Sequence, residues 1–292
     1  MSFTIVTDSA ANLPRALLNK HQITAIPFIS YFKGEEYPYE CPETFDDESY
    51  YTAISEGASF SSSQINPDRY IEYLTPILAE GNDVLFVGVS SGISGAFNSA
   101  QIAREELLET FPERTIRLVD SLSAALGEGL IVLQAALCRA RGLTLEMTAQ
   151  YLEEIRTRVY HLLSVDDMKH LARSGRIPSI IGTIGSALNI KPLLKGSEEG
   201  KIVLCGKARG RNKLVQLMAD KYAELAHEAH QNIVAISHAG CPEMAAKLAS
   251  LIREKCAPKE LILTKHEPVT GGHIGPGALA LFFFGENGVR KR

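Results

Sequence analysis

Apolar and polar positions along the first half of the chain follow a strand, loop, helix rhythm. Residues 3–7 (FTIVT) predict a short strand, and the DSAANLP segment after it predicts a helix capped by Asn12 with Pro14 in its first turn. Residues 23–32 are rich in β-favouring side chains and close on a Lys33-Gly34-Glu35 turn, and residues 38–64 are polar and turn-rich. Residues 83–89 (DVLFVGV) form an unbroken apolar run, the pattern of a strand covered on both faces in a parallel sheet. That run leads through Ser90-Ser91-Gly92-Ile93-Ser94-Gly95 into a predicted helix over 96–109. A strand over 115–119 then feeds DSLSAALGEG and an apolar helix over 130–140. This order predicts βαβ units and a parallel sheet.

The second half changes rhythm. Leu152, Ile155 and Val159 are spaced for a helix that feeds a short strand over 161–165. A glycine-rich yet apolar segment, ARSGRIPSIIGTIGSALNIKPLL, precedes a strand over 201–208. One amphipathic helix carries Leu214, Leu217, Met218, Tyr222 and Leu225, and another carries Met244, Leu248, Leu251 and Ile252. Strands over 233–237, 261–264 and 278–284 complete the pattern. The expected architecture is α/β in two domains, an N-terminal parallel-sheet domain over 1–160 and a C-terminal α+β domain over 161–292.

Charge and cysteine usage narrow the function classes. Thirty basic against 34 acidic residues give a net charge of −4, which argues against nonspecific nucleic-acid binding because no basic excess exists to displace phosphate counterions. The five cysteines are scattered without a C-x-x-C pair, so neither a disulfide framework nor a zinc site is expected, and a reducing compartment is. The N-terminus lacks the pattern of a signal peptide, and no apolar run approaches the ~20 residues that span a bilayer. A soluble, cytoplasmic protein without integral membrane association is expected.

Four loops are candidates for chemistry. Ser90 to Gly95 lies between a buried strand and a helix, where unpaired N–H groups favour anions and serine hydroxyls add neutral donors; an ordinary serine N-cap is the competing reading. The loop is neither G-x-G-x-x-G nor a P-loop, so a nucleotide is not favoured. Ser61-Ser62-Ser63-Gln64 is either a helix cap or a second hydroxyl cluster, and Asp120-Ser121-Leu122-Ser123 follows a strand at the sheet end where ligands bind. Converging there, these loops would offer many neutral donors and few cations, which suits one carboxylate better than a polyphosphate. The fourth, Gly271-Gly272-His273-Ile274-Gly275-Pro276-Gly277, reads as a tightly specified turn that presents His273 to an anion. Ile180, Ile181, Ile184 and Leu188 share one face of a glycine-interrupted helix; they are either core or the wall of an acyl-chain tunnel. Arg173, Arg176, Lys207, Arg209, Arg211 and Lys213 are either solvated surface or a docking patch for an acidic partner.

TDSAANLP, SSSQ at 61–64, VSSGISGAFNSA at 89–100, DSLSAALGEG at 120–129, SGRI at 174–177, NIKPLL at 189–194 and HIGPGA at 273–278 occur in this order. Together they resemble the DegV family, bacterial fatty-acid-binding proteins related to the binding subunit of fatty acid kinase. The resemblance spans essentially the whole chain and rests on the order and spacing of motifs that are individually loose. It implies a long-chain fatty acid in a tunnel between two α/β domains, with no cofactor, metal or catalytic residue. It implies that the carboxylate is held by Ser62, where many members have threonine, and by Ser90, Ser91 and Ser94, with His273 nearby. The apolar face of Ile180, Ile184 and Leu188 is the expected wall of that tunnel, and the resemblance implies Arg176 and Arg209 docking a partner ATP-dependent kinase that makes acyl phosphate. The chain departs in having SSSQIN where a threonine and a further proline are common, and SGRI where two glycines usually precede the arginine. The alternative is a stand-alone enzyme acting on a small acid or phosphorylated substrate, with His273 as general acid/base; no G-x-S-x-G elbow supports it.

Overall fold

An uninterrupted apolar strand can be satisfied only where both its faces are covered, and Phe3–Asp8 and Asp83–Gly88 in the first half meet that condition. A computed structural model describes residues 3–39, 41–177 and 189–292. The chain begins with β1 (Phe3–Asp8) and β2 (Ile23–Ile26), continues with β3 (Ile29–Phe32), β4 (Glu35–Glu36) and β5 (Phe60–Ser63), and adds β6 (Asp83–Gly88) and β7 (Ile116–Asp120). The second half supplies β8 (Val159–Ser164), β9 (Ile190–Gly196), β10 (Ile202–Arg209), β11 (Ile233–His238), β12 (Glu260–Lys265) and β13 (Leu279–Phe284). The first sheet runs β2-β1-β6-β7 with every pair parallel. The second runs β10-β9-β8-β13-β11-β12, antiparallel except for the β11–β12 pair. The mixed α/β architecture with one parallel sheet and a second, separate sheet is therefore as expected.

The helix Leu126–Ala140 (LGEGLIVLQAALCRA) is apolar almost all round, and such a helix must be covered on every side. It lies in one continuous core that takes Ile5, Leu85 and Val87 from the parallel sheet and Ala235, Ala280 and Phe282 from the second. The two sheets thus share a core rather than a flexible junction. Helices Arg211–Leu225 and Pro242–Lys255 cover the opposite face of the second sheet with their apolar stripes, including Leu214, Met218, Tyr222, Leu248 and Ile252.

Four local expectations are corrected. Asn12 is not an N-cap: Asp8 N-caps a short 3-10 turn at Ser9–Ala11, and Asn12 ends that turn at φ 55° and donates to the Lys265 carbonyl at 2.8 Å, while the helix that follows is Arg15–Lys20. Residues 23–32 divide at Pro27 into two strands that belong to different sheets. The polar stretch 38–64 contains a helix, Asp47–Ser55, and the strand β5. The glycine-rich segment around His273 is a short helix, Pro268–Ile274, which Glu267 caps by accepting from the amides of Val269 at 2.6 Å and Thr270 at 2.5 Å. Among the described residues, no helix is long and apolar enough to cross a membrane.

Candidate functional site

A cavity of about 400 Å³ lies between the loops of the parallel sheet and the face of the second sheet. This is within the range of small-molecule sites, roughly 300–1,000 Å³. Its floor is one face of two paired strands: His161 and Leu163 of β8 lie opposite Phe282 and Ala280 of β13, and all four line the space. The wall is mainly apolar and includes Phe28, Val89, Ile93, Leu171, Ile202 and Ile274.

One group of polar residues stands where the small sheet meets the cavity. The small antiparallel sheet, with β3 between β4 and β5, carries Ser62 there, and the helix Pro268–Ile274 brings His273 to meet it. The Ser62 hydroxyl lies 2.8 Å from His273 Nε2. Several aromatic residues fix this juncture. Tyr50 and Tyr51 of the helix Asp47–Ser55 donate to the carbonyls of Pro268 at 3.2 Å and His266 at 2.8 Å, so the helix pins the segment that carries His273. Phe60 packs edge-on to the His273 ring at 5.0 Å. A glycine at 272 is required here, because a Cβ would come within 2.5–2.7 Å of the Phe60 ring. Burial, with Arg176 and His170 adding repulsion, pushes His273 down to about 3, so the ring is neutral at physiological pH.

The other candidate residues divide. Ser94 lines the cavity, and its hydroxyl accepts from the Ala96 amide at 3.2 Å. Arg176 also lines it, next to His273, with its guanidinium donating to the Ser174 carbonyl; burial lowers its pKa. Arg176, expected to dock a partner, thus has a place in the cavity wall. Ser90 and Ser91 do not line the cavity. Ser90 is fully buried, donates to the Gly200 carbonyl at 2.9 Å and accepts from the Gly92 amide at 3.1 Å, so it shapes the loop. Ser91 is exposed, its amide donating to the Asp120 carboxylate at 3.3 Å. Arg209 is exposed at the end of the edge strand β10. Ile180, Ile184 and Leu188 lie outside the described residues.

Three further residues contribute: Gln64 and Ser123, which belong to loops singled out in the sequence, and His161, which the sequence pattern did not show. Gln64 lines the cavity beside the Ser62 end and donates to the Ser99 hydroxyl at 3.3 Å. His161 and Ser123 line it as well, hydrogen-bonded to each other at 2.9 Å. The one available signal for His161 was its position two residues before Leu163 on a strand, a polar side chain at an inward-facing place. Among the described residues, no group of three or more His, Cys, Asp or Glu side chains is arranged to hold a metal ion.

Comparison with known proteins places this geometry. A family model described as "Uncharacterised protein, DegV family" matches residues 2–286. A DegV domain-containing protein of Clostridium perfringens is 35% identical over 284 residues, which cover 97% of this chain and 98% of that one. Among solved structures, a DegV family protein from Thermus thermophilus described for its fatty acid binding superposes with a TM-score of 0.86 at 28% identity, covering 98% of this chain and 100% of the other. DegV of Bacillus subtilis, described as a fatty acid binding protein, gives 0.82 at 30% identity, with the same coverage. With a matching model over nearly its whole length and relatives that align from end to end, the chain belongs to the DegV family.

Proposed function

We propose that the chain binds a long-chain fatty acid, with the carboxylate at Ser62, His273, Ser94 and Arg176 and the acyl chain along the floor formed by β8 and β13. The observation that carries this reading is a largely apolar cavity of about 400 Å³ that ends at the 2.8 Å Ser62–His273 pair. Burying each methylene contributes about 0.8 kcal/mol, so about fourteen methylenes supply on the order of 11 kcal/mol before ordering costs. A charge-assisted hydrogen bond at the head adds about 1.5–3 kcal/mol. The tail therefore sets most of the affinity and the head sets which end sits where. Ser90 and Ser91 support the loop rather than touch the ligand. Ile180, Ile184 and Leu188 remain assigned to the tunnel on the strength of the sequence pattern alone.

The same pair argues for a carrier over a stand-alone enzyme. A serine and a histidine in hydrogen-bond contact are the start of a nucleophile–base arrangement, which needs a third group to orient the base. His273 has no carboxylate partner among the described residues, and with its pKa near 3 it is a weak base at neutral pH. A bound fatty acid presented to an ATP-dependent kinase for conversion to acyl phosphate fits these features, with the exposed Arg209 as the residue for partner docking. Native mass spectrometry of the freshly purified protein tests the reading. An adduct of fatty-acid mass that disappears in Ser62→Ala/Ser94→Ala supports it; turnover of a small acid by the protein alone would replace it with the enzyme.

A further inference from the structure

The cavity has polar groups at its far end too, and they leave one donor unused. Arg290 is 2% exposed, and its guanidinium is held by the carbonyls of Val159, Leu122 and Arg156, each at 2.8 Å. It also lies 3.1 Å from the Ser123 hydroxyl and 3.2 Å from His161 Nε2. A guanidinium only donates, so Nε2 of His161 is an acceptor and the ring, kept neutral by burial and by Arg290, carries its proton on Nδ1. That Nδ1–H has no hydrogen-bond partner among the described residues. Gly196 lies against this edge of the ring without a side chain to block it, since a Cβ there would stand 2.5 Å from Nδ1. Both residues line the cavity. A donor that the protein leaves without an acceptor favours a ligand atom that supplies one.

Position follows from the strand. His161 is four residues from Val165, whose side chain shares a hydrophobic cluster with Ile274, the neighbour of His273. At ~3.3 Å per residue this is about 13 Å. An extended carbon chain advances ~1.2 Å per bond, so the span is about ten bonds.

We propose that His161 Nδ1, with Ser123 beside it, forms a second polar subsite that accepts an oxygen on the acyl chain itself. The ligands it selects are long-chain acids carrying a hydroxyl or keto group near mid-chain. The proposal rests on the fatty-acid reading of the cavity and adds to it a preference that the head-group residues do not create.

Competition binding with stearate and with hydroxystearates substituted at positions from about carbon 8 to carbon 12 tests it. One position is expected to bind about three- to tenfold tighter than stearate, the range of a single neutral hydrogen bond. In His161→Phe the ratio of the two affinities falls to about one. Gly196→Ala, which covers Nδ1, does the same without removing the acceptor for Arg290. The wild-type positional series carries the test if either variant fails to fold. Stearate binding with no isomer tighter than it overturns this proposal and leaves the fatty-acid reading standing; failure of every acid to bind overturns that reading first.

Discussion

Replacing Ser62 by alanine separates what the head group contributes from what the tail contributes. Its hydroxyl touches His273 at 2.8 Å and stands at the polar end of a wall that is otherwise mostly apolar. Removing one hydrogen bond to a carboxylate costs about 1.5–3 kcal/mol, which is about 10- to 150-fold in Kd. Shortening the ligand by two methylenes costs about 1.6 kcal/mol, or roughly 15-fold. The hydroxyl is thus worth about two to four methylenes. Titrating Ser62→Ala and the wild type with laurate, myristate, palmitate and stearate gives log Kd against chain length for each. The expected result is two parallel lines, because the ends of the ligand touch different residues and distant contributions add. Ser62→Thr, which keeps the hydroxyl, is expected to fall near the wild-type line. A penalty that grows with chain length would show that Ser62 acts on the tail, and no penalty at all would remove it from the head-group site.

The two arginines give opposite outcomes: Arg176→Ala weakens fatty-acid binding about tenfold, through loss of a charged group in the cavity wall, while Arg209→Ala leaves it unchanged and is read instead in kinase-dependent acyl phosphate formation. Equal effects on lipid binding would put both in the pocket or both outside it. Gly272→Ala drives a methyl into the Phe60 ring, at a cost of about 1–3 kcal/mol of stability, and displaces the ring that backs His273; calorimetry and stearate titration read the two losses. Glu128→Gln addresses a carboxyl that is fully buried, receives the Thr7 hydroxyl at 2.9 Å, and is held well above its usual range by burial and by the nearby Asp8. Because the folded state keeps a proton that the unfolded chain releases above about pH 4.5, the contribution of Glu128 to stability falls as pH rises, by about 1.4 kcal/mol per pH unit. Glutamine removes that slope, so the variant gains on the wild type between pH 5 and pH 7 in urea unfolding; parallel pH profiles would refute the assignment.

The parallel sheet was legible because its central strand states its environment outright: DVLFVG has no polar residue after Asp83, and five of its six positions are buried. The amphipathic helices were legible for the same reason. Failures occurred where a local signal has two physical meanings. Three serines in a row score as a cap, yet in β5 Ser62 turns to the cavity and pairs in register with Ser30. Glycines at 271 and 272 lower helix propensity and suggest a turn, but the capping bonds of Glu267 and the hydroxyls of Tyr50 and Tyr51, both distant in sequence, make the segment helical. For Arg176 the motif offered a docking role and no sign of the cavity. Only the tertiary structure brings it to His273, whose own motif lies almost a hundred residues later.

The position of the cavity follows from the shared core. A helix as apolar as Leu126–Ala140 needs both sheets, and it holds them at a distance set by its own diameter, about 10–12 Å with side chains. Beyond its N-terminus, no described residues of equal thickness separate the loops of the parallel sheet from the β8–β13 face, and the cavity occupies that place, with Ala124, Ala125, Ala280 and Phe282 lining it next to the helix end. A fatty acid there would continue the core where the helix stops, in apolar contact along its length and anchored at the Ser62–His273 pair. Ligand binding and domain packing then draw on the same apolar surface. Stearate at about a hundred times its Kd is therefore expected to stabilise the whole chain by about 2.7 kcal/mol, as a single shift of both sheets together. Hydrogen exchange reads this directly: protection rising in β1 and β6 as well as in β8 and β13 supports a common core, and protection confined to one sheet would mean that the ligand sits on a surface of that sheet alone.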